Sequence, residues 1–311
     1  MVVASMRIRV PERRQSTPLL PARGRDTVTF IAFVAPNFLA IGLFSYWPLL
    51  RNIWLSFNYW DMIAPEPIWI GVDNWIEVFT STTFPVILRN TFTFTVVTVG
   101  ATLVLALGAA LLLNEPLRAR DVVRATLFAP AILPGSAVAL VWTFLFAPNF
   151  GLVSQAAVAI GLPTVRYLND PSWAMPAVLL VVVWRRVGYE AVIFIAGLQS
   201  ISKDLYEAAR VDGANAWQRF RHVTIPGLGP VAFFLIVTSI LASFQSFDVI
   251  RVMTAGGPVI ATRTLIYQVY QEAFGAFNAG RAAVYATILF GLMLSVTIVQ
   301  VRMVERRVTY E

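Results

Sequence analysis

The chain has 311 residues, of which 58% are hydrophobic and only 13% are charged, and its mean hydropathy is +0.69. A soluble domain carries about 25% charged residues, so this composition predicts a protein embedded in a lipid bilayer. The sequence has no cysteine, which excludes disulfides, and its lone histidine, His222, cannot build a His-rich metal site. The lone lysine, Lys203, follows Ser202, whereas a phosphate-binding P-loop needs a lysine between glycine and serine or threonine. Any ATP that drives this protein is therefore hydrolysed by another chain.

Six transmembrane helices are predicted, because a helix needs about 20 apolar residues to cross the hydrocarbon layer. In chain order they lie near residues 27–50, 90–113, 125–146, 173–198, 229–250 and 282–301. The charge-free run 125–165 is too long for one span, and the turn sequence PNFG at 148–151 divides it. We thus predict an all-α membrane protein with a transmembrane domain over 27–301 and tails over 1–26 and 302–311.

Basic residues predict the orientation of these helices. The segments that would share one side of the membrane together hold sixteen Lys and Arg residues: 1–26, 115–124, 199–228 and 302–311. The opposite segments hold six: 51–89, 147–172 and 251–281. Because cytoplasmic loops are enriched in Lys and Arg, both termini and the loop between the fourth and fifth spans are predicted to be cytoplasmic. The formal net charge of +7 follows this asymmetry, so nucleic acid is not predicted as a partner.

Three charged residues, Arg185, Arg186 and Glu190, lie inside the predicted fourth span. An Arg at the centre of a transmembrane helix costs about 2.5–3.5 kcal/mol on insertion scales, so such residues usually face a partner or an aqueous cavity. Arg186 and Glu190 are four residues apart and can pair on one helix face, while Arg185 is about 100° round the helix and shares its face with Tyr189. Two interpretations stay open. Either both Arg residues are satisfied structurally, or at least one lines the substrate path and meets a hydroxyl-rich or anionic solute.

The cytoplasmic loop that follows is predicted to form two short helices, over 203–211 and 214–222. Ser202 is a candidate N-cap of the first helix, Gly213 ends it, and Pro226 stops the second helix before the next span. The small side chains of Ala208 and Ala209 permit close approach of another backbone, and Glu207 offers a carboxylate to a partner's Arg. The alternative is a solvated loop whose charges keep it out of lipid.

Further candidates for the substrate path are Gln245 and Asp248, near the outer end of the fifth span. Asp248 can instead simply mark the end of that span. Trp142 and Trp184 could stack against a sugar, although most aromatic side chains in such a protein face lipid or the interface.

An amphipathic helix is predicted after the turn sequence TAGGP at 254–258. Its apolar stripe consists of Ile266, Val269, Tyr270, Ala273, Phe274 and Phe277. This stripe is expected to pack on the bundle or to rim its outer mouth.

The segment 207–226, EAARVDGANAWQRFRHVTIP, resembles the EAA loop of the permease subunits of bacterial ATP-binding-cassette (ABC) importers. The matching positions are Glu207, Ala208, Ala209, Gly213, Val223, Ile225 and Pro226, with Val for the family's Ile and Ile for its Leu. Asp212 also matches, within the DGA sequence of the carbohydrate-uptake branch.

Other segments are similar to the same branch, so the resemblance covers about 27–311. They are WIGVDNW (69–75), RNTFTF (89–94), MTAGGP (253–258), TLIYQVYQEAF (264–274) and VERRVTY (304–310). The last is similar to permeases for glycerol-3-phosphate and related sugars.

The resemblance implies a permease subunit of an ATP-driven importer in the bacterial inner membrane, with the 203–226 loop docked on an ATPase. It implies a second permease chain, two ATPase subunits that hold ATP and Mg, and an extracytoplasmic solute-binding protein. This chain itself is expected to have no catalytic residue, cofactor or metal. The solute is expected to be small and polar, with glycerol-3-phosphate or a glycerophosphodiester favoured and a sugar or oligosaccharide as the alternative.

Two other classes of protein were weighed. An ion-coupled secondary transporter would not need a docking loop. A membrane-embedded enzyme would need an acid–base pair, and Glu190 and His222 are predicted to lie at different depths.

Overall fold

The computed structural model describes residues 22–115, 119–161, 163 and 165–305, and most of them lie in helices. The α-helices described are α1 Ala22–Ile41, α2 Trp47–Leu55, α3 Asp73–Thr80, α4 Phe84–Asn114, α5 Arg120–Ile132, α6 Gly135–Leu145, α7 Leu152–Ala159, α8 Pro171–Ser200, α9 Lys203–Val211, α10 Ala216–Arg219, α11 Ile225–Gly227, α12 Gly229–Phe244, α13 Asp248–Met253, α14 Leu265–Tyr270 and α15 Ala279–Glu305. Three π-helical turns accompany them: Gly42–Tyr46, Phe220–Thr224 and Gln271–Gly275. The strands described are β1 Asn58–Tyr59 and β2 Ile68–Trp69, an antiparallel pair in which Asn58 is opposite Trp69. The predicted all-α class is confirmed, while most of the two predicted tails (1–21 and 306–311) lies outside the described residues.

The described residues form two compact units, which divide after Arg51. In the first unit, α1 continues through the π-helical turn into α2 without interruption. The stretch Thr29–Leu55, which begins in this unit, is long and apolar enough to cross a membrane and corresponds to the predicted first span.

Three further helical stretches have the length and hydropathy of membrane spans: Phe84–Asn114, Gly229–Met253 and Ala279–Arg302. They correspond to the predicted second, fifth and sixth spans. The second begins six residues before the predicted start, since α4 takes in the polar sequence around Arg89 and Asn90. The fifth is interrupted between α12 and α13, where Gln245 leaves the helical conformation.

The predicted third span, 125–146, is not one continuous helix. The structure has α5 and α6 in its place, and their axes are bent by 101° at the break. Pro134 explains the break, because a proline disfavours the α conformation in the residue before it. Leu133 accordingly adopts an extended backbone, with φ −72° and ψ 143°.

The predicted fourth span corresponds to α8, whose 30 residues extend for about 45 Å at the usual helical rise. Its start is fixed by Asp170, whose Oδ1 accepts a hydrogen bond from the Ser172 amide at 2.8 Å. The three charges inside α8 distinguish it from the stretches above, and the count of six spans stays a prediction.

The centre of the larger unit is built around α8. Phe94 of α4 and Val178 and Val181 of α8 are almost fully buried in one apolar cluster. Gly188 lies where α8 crosses α5, and a Cβ atom there would overlap the carbonyl oxygen of Leu127. The glycine therefore permits a close contact between these two helices.

Only part of the predicted apolar stripe beyond residue 264 packs against the rest of the protein. Ile266 and Val269 pack against an apolar cluster, but Phe274 and Phe277 are exposed. The buried face of this segment also carries Leu265, Tyr267, Gln268 and Glu272. Gln268 Nε2 donates to Glu272 Oε1 at 2.7 Å, and Glu272 Oε2 lies 3.0 Å from Arg281 Nε, so the two buried polar side chains are paired.

Candidate functional site

A cavity of about 420 Å³ lies among α4, α5, α8 and the junction of α12 with α13. Its polar lining includes Thr98, Arg185, Arg186, Gln245, Ser246 and Asp248. Four of the five residues predicted for a substrate path therefore share one cavity. The fifth, Glu190, is fully buried behind it.

Arg186 and Glu190 pair on one face of α8, in the arrangement that their spacing predicts. Arg186 Nη2 donates to Glu190 Oε1 at 3.1 Å and Nε donates to the same oxygen at 3.3 Å. Ser239 of α12 joins them, since its hydroxyl donates to Glu190 Oε1 at 2.6 Å and accepts from Arg186 Nη2 at 3.0 Å. This network connects α8 to α12 and uses much of the donor capacity of Arg186.

Arg185 is held much more loosely. Its Nη1 atom lies 3.8 Å from Asp248 Oδ2, which is close enough for an ion pair but too long for a good hydrogen bond. Its buried Nε atom has no hydrogen-bond partner in the described part of the chain. Of the two Arg residues in the lining of this cavity, Arg185 is therefore the less firmly held.

Asp248 and Gln245 lie at the junction of α12 and α13, within the stretch Gly229–Met253 that has the length and hydropathy of a membrane span. Asp248 is the first residue of α13, and its Oδ1 accepts a hydrogen bond from the Val249 amide at 2.9 Å. Its other carboxylate oxygen, Oδ2, is the atom that is directed to Arg185.

The sequence analysis missed a row of threonines on α4. Thr91, Thr95, Thr98 and Thr102 are all buried, and their spacing of four, three and four residues places them on one helix face. Thr95 accepts a hydrogen bond from Ser243 of α12 at 3.0 Å. The hydroxyl of Thr98, which lines the cavity, has no hydrogen-bond partner among residues that the structure describes. The regular spacing of these threonines in an otherwise apolar helix could have indicated this polar face from the sequence.

Trp142 and Trp184, the candidates for stacking on a sugar, contact each other instead. Their ring centroids are 5.4 Å apart at an interplanar angle of 69°. Neither ring lines the 420 Å³ cavity.

The loop between α8 and α12 forms a second polar site. Ser202 caps α9 by accepting a hydrogen bond from the Asp204 amide at 3.2 Å, as predicted. Gly213 follows α9 with φ +78°, a conformation that suits glycine. The predicted second helix begins two residues later than expected and consists of α10 followed by the π-helical turn Phe220–Thr224. Pro226 lies in α11 and does not end the helical path to α12.

Internal contacts give this loop a defined shape. Asn215 and Gln218 form a reciprocal capping box at the start of α10. The hydroxyls of Tyr206 and Thr224 are 3.0 Å apart and connect α9 to the π-helical turn.

The outward surface of the loop is partly apolar. Most of the predicted coupling residues are exposed, namely Glu207, Ala208, Asp212, Gly213 and Pro226, whereas Ala209 is half-buried. The large side chains of Leu205, Val211 and Trp217 are also exposed, and Val211 is 89% accessible. The sequence analysis did not single these three out. An exposed apolar group of this kind on a charged loop is suited to a protein contact.

Within the described ranges, no group of three or more His, Cys, Asp or Glu side chains is arranged to hold a metal ion.

Comparison with known proteins agrees with this architecture. Residues 102–310 match the family described as binding-protein-dependent transport system inner membrane component. The chain is 34% identical over 279 residues to the sn-glycerol-3-phosphate transport system permease protein UgpA of Yersinia pestis bv. Antiqua (strain Antiqua), an alignment that covers 89% of this chain and 94% of UgpA. It is 30% identical to the sulfoquinovosyl glycerol transport system permease protein SmoG of Agrobacterium fabrum, with 91% of this chain and 92% of SmoG covered.

A solved structure shares the fold. It is described as a bacterial ABC transporter involved in the import of the acidic polysaccharide alginate, and one of its chains superposes with a TM-score of 0.79 at 24% identity. The superposition covers 93% of this chain and 98% of that chain. The family match over most of the chain and the identity to full-length permeases lead to one conclusion: the chain belongs to the binding-protein-dependent transport system inner membrane components, the permease subunits of ABC importers.

Proposed function

We propose that this permease couples solute passage to ATP hydrolysis on partner subunits, with both termini and the 203–226 loop in the cytoplasm. The excess of basic residues in the tails and in this loop supports the orientation. A second permease chain completes the path, two ATP-binding-cassette ATPase subunits bind ATP and Mg, and an extracytoplasmic binding protein delivers the solute. This chain itself holds no cofactor and performs no covalent chemistry.

The loop is proposed as the surface that docks on the ATPase. Glu207 offers a carboxylate, Ala208 permits close approach, and the exposed Val211 and Trp217 add apolar area. The Tyr206–Thr224 contact joins α9 to the helical segment that leads to α12. A displacement of α9 by the ATPase would therefore also displace α12. An ion-coupled secondary transporter would have no use for such a surface.

The 420 Å³ cavity is proposed as part of the solute path, and Arg185 as its contact for an anionic group. The observation that carries this proposal is the partly exposed Arg185 side chain in the lining of the cavity, whose ion pair with Asp248 is 3.8 Å long. A guanidinium donates in a forked geometry that suits a phosphate. The favoured solute is therefore sn-glycerol-3-phosphate or a glycerophosphodiester, whose hydroxyl groups could meet Thr98 and Gln245.

A neutral sugar or oligosaccharide is the second candidate, and the observation that supports it is the balance of charges in the cavity. Arg185 faces Asp248 and Arg186 faces Glu190, so the four side chains carry no net charge.

Uptake by the complete importer distinguishes these candidates. The chain is reconstituted into vesicles with its partner permease, ATPase subunits and binding protein, and ATP-dependent uptake of labelled sn-glycerol-3-phosphate is compared with that of a neutral sugar. Arg185→Gln is expected to lower uptake of the phosphate compound by about tenfold or more, because a hydrogen bond to a charged group contributes about 1.5–3 kcal/mol. Uptake of a neutral sugar, if the importer accepts one, should change much less.

Arg120→Gln is the matched control, since Arg120 is paired with Asp121 outside the cavity. Wild-type uptake of glycerol-3-phosphate by the Arg185→Gln importer would contradict the role of Arg185. Uptake that continues at the same rate without ATP would contradict coupling to the ATPase.

A further inference from the structure

The two Arg–carboxylate pairs of the cavity differ in a way that points to a device for selecting the solute. Arg186 is hydrogen-bonded to the fully buried Glu190, and Ser239 reinforces the pair. Arg185 and Asp248 are 3.8 Å apart, and both side chains are partly exposed, at 28% and 41%. The first pair is therefore part of the framework, whereas the second can be separated.

We propose that Asp248 is a displaceable counter-anion: it occupies Arg185 when the cavity is empty, and the anionic group of the solute takes its place. This inference rests on the proposed function of the cavity and adds a second residue to it. Asp248 then acts as a positioning and specificity-determining residue and not as a direct ligand of the anion.

The location of Asp248 suits such a displacement. It follows the break between α12 and α13, and its Oδ1 is already held by the amide of Val249 at 2.9 Å. Only Oδ2 is directed to Arg185, so the carboxylate can release the guanidinium and keep one hydrogen bond.

Gly135, which lies against both side chains, supports the same interpretation. It is the first residue of α6, just after the bend, and a Cβ atom there would overlap Asp248 Oδ2 and lie 2.6 Å from Arg185 Nη1. The absence of a side chain at this position makes room for the pair. The arrangement therefore depends on three elements: α6, α8 and α13.

The consequence for selectivity follows from charge. An anion that approaches Arg185 is repelled by Asp248 until that carboxylate withdraws, because like charges at one site disfavour each other. A neutral solute meets no such competition. Asp248 therefore weakens anion binding and favours anions, such as a phosphate, that interact with the guanidinium strongly enough to displace it.

Binding to the assembled importer in detergent tests this, with labelled sn-glycerol-3-phosphate as the probe and glycerol as the neutral comparison. Asp248→Asn is expected to tighten binding of the phosphate compound by about tenfold, the order of one charge-assisted contact, and to leave glycerol binding unchanged. Arg185→Gln should weaken binding. The double variant should bind like Arg185→Gln alone, since a counter-anion has no effect without its cation. Asp121→Asn is the control, because Asp121 pairs with Arg residues at the surface, away from the cavity.

The outcomes separate this inference from the proposed function. If Arg185→Gln weakens binding but Asp248→Asn does not tighten it, the cavity binds the anion and the counter-anion role is wrong. If Asp248→Asn tightens binding equally with and without Arg185, Asp248 acts through general charge and the displacement is again refuted. If Arg185→Gln leaves binding unchanged, the anion site lies elsewhere, and both the proposed path and the inference fail.

Discussion

At the scale of single residues, the charges inside α8 have different roles that depend on their partners. Glu190 has no exposed surface, and its Oε1 atom accepts hydrogen bonds from Arg186 and Ser239. Replacing one member of a buried ion pair typically costs about 3–5 kcal/mol, because the other charge is left uncompensated.

Arg186→Gln is therefore expected to lower the yield and the thermal stability of the purified protein. The double variant Arg186→Gln with Glu190→Gln should recover most of the loss, since two amides carry no stranded charge. Arg185→Gln is the comparison and should keep its yield, because the pair it disrupts is loose and partly exposed. A double variant no more stable than Arg186→Gln would show that the network with Ser239, and not the charge, supports α8.

The pairing of Arg186 with Glu190 could be predicted from the sequence because it depends only on helical spacing. The contact between Arg185 and Asp248 could not, since these residues are 63 positions apart in the chain and meet only after α8 and α13 pack. Gly135 was not singled out for the same reason. Its role depends on the two side chains opposite it and not on its own turn.

At the scale of elements, the conformation of the 203–226 loop depends on local signals and was largely predictable. Ser202 caps the start of α9 and Gly213 follows its end, so each residue lies within one turn of the helix end that it sets. The bend between α5 and α6 was missed because no charge interrupts residues 125–146, and Pro134 was the indication of it. The stripe beyond residue 264 was only partly predicted, because Gln268 and Glu272 are buried with polar partners, which apolar periodicity does not indicate.

The loop also permits a test of coupling. Glu207→Ala and Gly213→Pro are expected to leave the protein inserted in the membrane, because neither residue lies in a membrane-spanning stretch. Gly213→Pro removes an amide that donates to Arg210 and imposes φ near −65° where the chain has +78°. Both variants should weaken assembly with the ATPase or separate ATP hydrolysis from uptake, and the measurement is solute-stimulated hydrolysis together with uptake in vesicles.

Glu66→Ala is the matched control for Glu207→Ala, since Glu66 is exposed on the segment between β1 and β2. Normal stimulated hydrolysis and uptake in both loop variants would refute the coupling role.

At the scale of the whole molecule, the orientation in the membrane is open to direct measurement. The sequence has no cysteine, so a single introduced thiol is labelled without background. Ser172 at the start of α8 and Ala216 in the loop are both exposed. In intact cells, or in spheroplasts of a Gram-negative host, Ser172→Cys should react with a membrane-impermeant maleimide, whereas Ala216→Cys should react only after the membrane is opened.

That result would require α8 to cross the bilayer despite its three charges. Labelling of both positions from the same side would contradict the crossing, and reversed labelling would contradict the cytoplasmic position of the loop. Ala64→Cys, on the segment between β1 and β2, provides a further outward position for comparison.

The missing side chain at Gly135 has a consequence for how this protein can diverge. Any replacement at 135 places a methyl group or more where the Asp248 carboxylate now lies. Such a change is tolerated only when the Asp248 carboxylate turns away or position 248 becomes smaller, and either change leaves Arg185 without its counter-anion. Positions 135, 185 and 248 are therefore expected to vary together in descendants of this chain. A shift in transported solute would then begin with a change in side-chain size at 135 and 248, before any charge is replaced.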